Sequence, residues 1–260
     1  MDKLNDKFLA QLPPIIVIPM KEYLDERHPS AKLLRLCNAA EMITRFVLLV
    51  AVGVLQRDPE RFANAVSKIK DKIDRPTFGS LAEMLRTFTG KKTLAEKTHP
   101  IVVDLRELRK PLGVLLDGEK DTIGLIAVRN LVVHSGALQS KQCAQILSDW
   151  ERRFEKFVER LCFLGAYDLC LLRGEVLHRF RGVSQEPQPL QDQRGLDDEA
   201  IRSHKGHMLL VGSGDPINLW PFLDYDRARM RWLGIDERAR DESPLIFARA
   251  DRSRAVLTYA

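Results

Sequence analysis

Residues Asp121–Gly136 read DTIGLIAVRNLVVHSG. Ile123, Leu125, Ile126, Val128, Leu131, Val132 and Val133 make this stretch an apolar helix belonging to a protein interior. Three polar groups, Arg129, Asn130 and His134, are set into its last turns. A buried cation is strongly unfavourable unless a partner meets it, so this trio requires a partner or a use. Asn130 and His134 share a face, about 40° from alignment, whereas Arg129 and His134 lie about 140° apart around a straight helix. Ser135-Gly136 then ends the helix, with Gly136 a natural C-terminal cap. That leaves His134 at the negative end of the helix dipole, which favours its protonated form.

Helical patterns extend on both sides. A short helix around Lys3–Gln11 and a Pro13-Pro14 break come first. Ser30 then occupies an N-cap position and a long helix runs to about Leu55 or Gln56, apolar all round in its second half. Its strongest apolar run, Phe46–Leu55, has about half the length that spans a bilayer, so it reads as the most buried helix of a core. Helices are expected from Pro59 to about Ile73 and from Ser80 to about Thr87. Another should follow His99-Pro100, kinked near Pro111 and closed by Gly118. Beyond Gly136, Ser140 caps a very long helix reaching about Arg173. Ile146, Trp150, Phe154, Phe157, Val158, Leu161, Leu164, Leu169 and Leu172 line its inner face, and the string ERRFEKFVER reads as its solvated face. Residues 1–182 therefore predict an antiparallel helical bundle.

Composition changes at Gly182. Residues 183–204 hold prolines, glutamines and acids with few apolar anchors, the pattern of a linker. Residues 205–260 predict a small β-rich α+β unit, with strands at His207–Val211, Ile217–Phe222, Leu245–Arg249 and Ala255–Tyr259 and turns at GSGDP and ADRSR. Arg227–Glu242 between them suits a helix or a loop. At about 55 residues the unit is near the lower limit for independent stability, so it is expected to pack on the bundle or belong to a longer chain. The fold class is mainly α, a helical bundle followed by this smaller β-rich unit.

Hydrophobic residues make up 45% and charged residues 30% of the 260, a soluble globular balance. The net charge of +5 permits an anionic partner such as RNA without requiring one. Cys37, Cys143, Cys162 and Cys170 form no CxxC pair and read as reduced core thiols of a cytoplasmic protein. The N-terminus lacks the layout of a signal peptide, and no membrane partner is expected. No metal or cofactor is expected either. His204 and His207 have no carboxylate or thiol neighbours to complete a ligand set, and Gly212-Ser213-Gly214 lacks the Lys-Ser/Thr ending of a phosphate loop. Trp220, Phe222 and Tyr225, beside Arg227 and Arg229, read as the core of a small sheet in preference to a base-stacking platform.

A long bundle whose penultimate helix carries Arg129-Asn130-Leu131-Val132-Val133-His134 resembles the HEPN superfamily (higher eukaryotes and prokaryotes nucleotide-binding domains). The likeness covers roughly residues 1–180 and leaves the C-terminal unit outside. Arg-x4-His recurs at Arg173…His178 and Arg202…His207, read as a helix end and a linker. Asn130, the apolar surroundings and the place in the bundle set the first copy apart. The resemblance implies a metal-independent endoribonuclease of toxin or phage-defence type, working as a homodimer with two such motifs facing across the interface.

The residue types suit that chemistry on their own account. Cleaving RNA by its own 2′-hydroxyl needs a proton taken from that hydroxyl and one given to the leaving 5′-oxygen, with positive charge on the phosphorane. Histidine titrates near neutrality, arginine matches phosphate with a planar fork, and the Asn130 amide can orient either. The angle between Arg129 and His134 calls for a long arginine reach or a second subunit. Asn38, Glu41 and Arg45 form a polar stripe on the long second helix that could hold Arg129 or tune His134, Glu41 foremost. Lys32 and Arg35 extend the stripe backward, so a solvent face fits the same residues. A histidine near a helix end also caps carbonyls, and an Arg-Asn pair also bridges helices. The alternative function is thus a non-catalytic dimerisation, nucleotide-binding or partner-binding module of a larger defence or signalling protein. Expected partners are RNA, a second copy through the bundle, and a regulatory protein or larger parent chain through the C-terminal unit.

Overall fold

The computed structural model describes residues 6–69, 72, 77–119, 122–135, 138–183, 187–192, 196–224, 245–251 and 256–259, with the backbone alone at 134, 135, 224, 245–251 and 256–259. Its axis is a helix of 27 residues, here numbered α3 (Pro29–Leu55), whose Pro29 opens the first turn after His28 as N-cap. Every residue from Phe46 to Leu55 is buried. By length and composition α3 could cross a bilayer, yet 78% of its most apolar stretch is buried inside the protein. Around it pack α2 (Pro14–Asp25), α4 (Pro59–Ile69), α5 (Phe78–Phe88), α6 (Ile101–Asp117), α7 (Leu125–Asn130) and α8 (Ser140–Glu159). The short α1 (Asp6–Leu9) precedes them. Thr77, rather than Ser80, caps α5 by accepting the Ser80 amide at 3.2 Å. Gly118, at φ +86°, closes α6.

The helix expected to reach Arg173 stops at Glu159. A 3-10 turn, Arg160–Ala166, follows and leads into strands β3 (Asp168–Arg173) and β4 (Val176–Phe180). (Strands β1, Gly118–Glu119, and β2, Thr122–Ile123, form a small hairpin before α7.) Leu169 and Leu171 face the bundle core while Cys170 and Leu172 face a second apolar cluster, the two-residue alternation of a strand with both sides covered. An apolar run of this kind has no periodicity to separate it from a buried helix.

The stretch read as a linker is folded. β5 (Gln188–Pro189) pairs with β4, and α9 (Asp198–Ser203), capped by Asp197 on the Ala200 amide at 2.7 Å, sets Ile201 against the second cluster beside Leu196. Two apolar anchors suffice because the sheet already supplies the opposing surface. β6 (Met208–Val211) and β7 (Ile217–Asn218) complete an antiparallel sheet of order β5-β4-β3-β6-β7. Its strands come from both sides of residues 183–204, so the composition change at Gly182 marks no gap. Of the expected strand Ile217–Phe222 only β7 is extended; residues 219–222 leave the sheet, and β8 (Leu223–Asp224) begins just beyond. β8 joins β9 (Leu245–Asp251) and β10 (Val256–Tyr259) in a three-stranded sheet of order β10-β9-β8. Arg227–Glu242 and Tyr225 lie outside the described residues. The architecture is mainly α, with an α+β unit toward the C-terminus. The thiols of Cys37, Cys143 and Cys170 are buried, whereas Cys162 is exposed, contrary to its reading as a core thiol.

Candidate functional site

The helix carrying the polar trio is shorter and nearer the surface than its composition suggests. Thr122 and Ile123 pair with Glu119 and Gly118 in the β1–β2 hairpin, so α7 begins only at Leu125. Leu125 and Val128 are buried, but Ile123, Leu131 and Val133 are 48%, 42% and 49% exposed. α7 itself meets α3 and α6, and the exposed apolar side chains lie on either side of it, Ile123 in the hairpin before it and Leu131 and Val133 in the turn after it. The expectation of a wholly interior helix is therefore corrected. Composition cannot tell which of its apolar residues are covered.

Arg129 lies on the covered side. Its Nε sits 2.9 Å from Glu41 Oε2, while Arg45, one turn further along α3, donates to Glu41 Oε1 at 2.9 Å. One carboxylate thus joins two guanidiniums across the α3–α7 contact. The Arg129 contact is ionic, because its Nε–H does not align on the oxygen as a hydrogen bond. Side-chain exposure is 13% for Glu41 and Arg45 and 29% for Arg129, so all three are largely withdrawn from water. Asn38, on the same stripe, is half-buried. Lys32 and Arg35 leave the stripe for other neighbours, pairing with Glu151 of α8 at 2.9 Å and Glu22 of α2 at 2.7 Å. Burial pushes the adjacent Cys37 thiol up to about 12, against the pull of the Arg129 charge, so it is no nucleophile at neutral pH.

Immediately after Asn130 the backbone widens into a π turn, Leu131–Ser135. Such turns are rare and frequently sit at functional sites. A turn closed by i→i+5 bonds advances each residue by less than the roughly 100° of an α-helix, which brings positions 129 and 134 nearer one face than the about 140° of a straight helix. Asn130 is exposed beside them. The His134 imidazole and Gly136 lie outside what is described.

The other Arg-x4-His spacings have a different setting. His178 lies on β4, not at a helix end, and burial lowers its pKa with help from Arg173. His204 closes α9, its Nδ1 2.9 Å from the Ala200 carbonyl, and His207 stacks on Trp220 at 4.6 Å. Among the described residues no group of three His, Cys, Asp or Glu side chains is placed to hold a metal ion. Gly212–Gly214 sit in the turn between β6 and β7.

One feature was not read from the sequence. Arg153, Lys156 and Arg160, within the supposedly solvated face of α8, line a groove of about 640 Å³ against Lys110 and Pro111 of α6. Their spacing of three and four residues is the signal that could have revealed a stripe. No family model, curated protein or solved structure matches the chain.

Proposed function

We propose that the protein is a metal-independent endoribonuclease of toxin or phage-defence type, acting in the cytoplasm as a homodimer. The observation that carries this reading is the Glu41–Arg129 ion pair at 2.9 Å, set just before the π turn that contains His134. Glu41 holds Arg129 by the Nε edge. Among the described residues no acceptor meets its terminal nitrogens, which leaves the guanidinium fork for a phosphate. In this mechanism His134 takes the proton of the 2′-hydroxyl or returns one to the 5′-oxygen. Arg129 balances the charge of the phosphorane, and the exposed Asn130 amide orients the phosphate or the ring. The bond formed is O2′–P and the bond broken is P–O5′. One imidazole takes the O2′ proton while the partner subunit's His134, protonated, gives one to O5′, so the step balances with two imidazoles and Arg129. The exposed apolar side chains of Ile123, Leu131 and Val133 support association with a second copy, which would bring the partner subunit's His134 to the same phosphate.

Purified protein should cut single-stranded RNA in the presence of a chelator. His134→Ala and Arg129→Ala should each slow cutting by at least about 100-fold while the circular dichroism spectrum is unchanged. Full cleavage by both variants rules the mechanism out. The same exposed apolar side chains favour a second reading, a non-catalytic module that docks a partner beside α7. Expression in cells separates the two. Growth arrest relieved by His134→Ala belongs to the nuclease, and indifference belongs to the docking module.

A further inference from the structure

We infer that the groove between α6 and α8 is the track for a single RNA strand, gripping its phosphates on the way to Arg129. The inference deepens the ribonuclease reading and rests on it for the identity of the polyanion. Arg153 and Lys156 of α8, Arg160 at the start of the 3-10 turn after it and Lys110 of α6 line it against two carboxylates, Glu107 and Glu119, so cations prevail by two. Among the described residues Lys110, Lys156 and Arg160 meet no carboxylate; Arg153 alone is engaged, 3.5 Å from Glu119 and over the Trp150 ring. Three cations at steps of three and four residues run from α8 into the turn after it, a positive row of the kind that tracks a single-strand backbone. Pro111, Val114 and the rim of Phe157 give the groove an apolar floor on which bases can lie. Its hairpin end adjoins the residues that lead into α7. Trp150 Nε1 donates to the Ile123 carbonyl at 3.1 Å, two residues before α7 begins.

The test reads binding alone, with a fluorescein-labelled 2′-O-methyl oligouridylate of about a dozen nucleotides, which cannot be cut by 2′-hydroxyl attack. Wild type should bind it with strong salt dependence. The triple variant Arg153→Gln, Lys156→Gln, Arg160→Gln should bind at least tenfold more weakly. Its plot of log affinity against log salt should be shallower by about 2, as expected for three lost phosphate contacts on a single strand. A control that removes equal charge elsewhere, Arg61→Gln, Lys141→Gln, Arg152→Gln, should stay within about twofold. All six side chains are on the surface, so both triples should fold. Equal loss in the two triples, an unchanged groove triple, or no binding by wild type overturns the inference. Displacement of the probe by polyglutamate at equal charge concentration also overturns it, reassigning the groove to an acidic protein partner. Should the groove bind the probe while His134→Ala leaves cutting of ordinary RNA intact, the track stands and the proposed catalytic residues fall.

Discussion

Glu41 has more riding on it than any other single side chain, because its two oxygens serve Arg45 and Arg129 separately. Removing it takes from two largely buried guanidiniums the carboxylate they share. Glu41→Ala should therefore lower stability by about 1–3 kcal/mol in urea denaturation. In the double variant Glu41→Ala/Arg129→Ala the losses should fall short of their sum by about 0.5–3 kcal/mol; simple additivity would show the pair to be idle. Steps of three and four residues were enough to put Asn38, Glu41 and Arg45 on one stripe. They could not say what the stripe faces, because Lys32 and Arg35 prolong it. Those two turn to α8 and α2, and only the later part meets α7. Which helix answers a stripe is a long-range matter that local periodicity does not encode. The π turn was equally hidden, since Leu131–Ser135 has the composition of an ordinary helix.

At the level of elements, α3 passes close against β7. A Cβ on Gly53 would stand 2.6 Å from the Asn218 carbonyl and 2.6 Å from Ile217 Cγ2. Neither the strand backbone nor the packed Ile217 can yield cheaply, so Gly53→Ala should destabilise by about 1–3 kcal/mol. Gly113, in the middle of α6 with nothing within 4 Å of its notional Cβ, is the counterpart. Gly113→Ala should stabilise by about 0.5–1 kcal/mol through helix propensity alone. Denaturant midpoints that move in the same direction would mean that the helix–sheet contact is looser than the geometry indicates. The helices were legible from apolar spacing and from proline at their starts, as for α3 and α6. Ser30, expected as the N-cap of α3, lies inside it instead, and neither helix has a side-chain N-cap. Reading failed at Asp168–Arg173, where both faces of a strand are covered, and at 183–204, where a sheet edge lends stability to a segment poor in apolar residues.

At the scale of the whole molecule, bundle and sheet are joined through the turn between β6 and β7. Arg57, just past α3, reaches Asp215 Oδ2 at 3.0 Å and the Pro216 carbonyl at 2.7 Å. His99 holds the same turn from the start of α6. Its Nε2 lies 3.0 Å from the Asp215 carbonyl, and its Nδ1 accepts the Ile101 amide at 3.2 Å. These partners select the neutral ring protonated at Nε2, and a proton on Nδ1 would forfeit the bond to Ile101. Burial holds the His99 pKa below the ordinary 6.5, aided by the Arg57 charge and opposed by the Asp215 carbonyl and carboxylate. Just below pH 6.5 the unfolded chain therefore binds more protons than the folded one. This contribution to stability is complete above 6.5 and drains away as pH falls through the lowered folded value. His178, also lowered by burial, adds a dependence of the same sign. The Tm of the wild type should accordingly fall on acidification below pH 6.5, and His99→Ala, less stable at neutral pH, should show a shallower fall. If His99→Ala keeps the full wild-type slope while His178→Ala abolishes it, the junction between bundle and sheet is not where the proton acts.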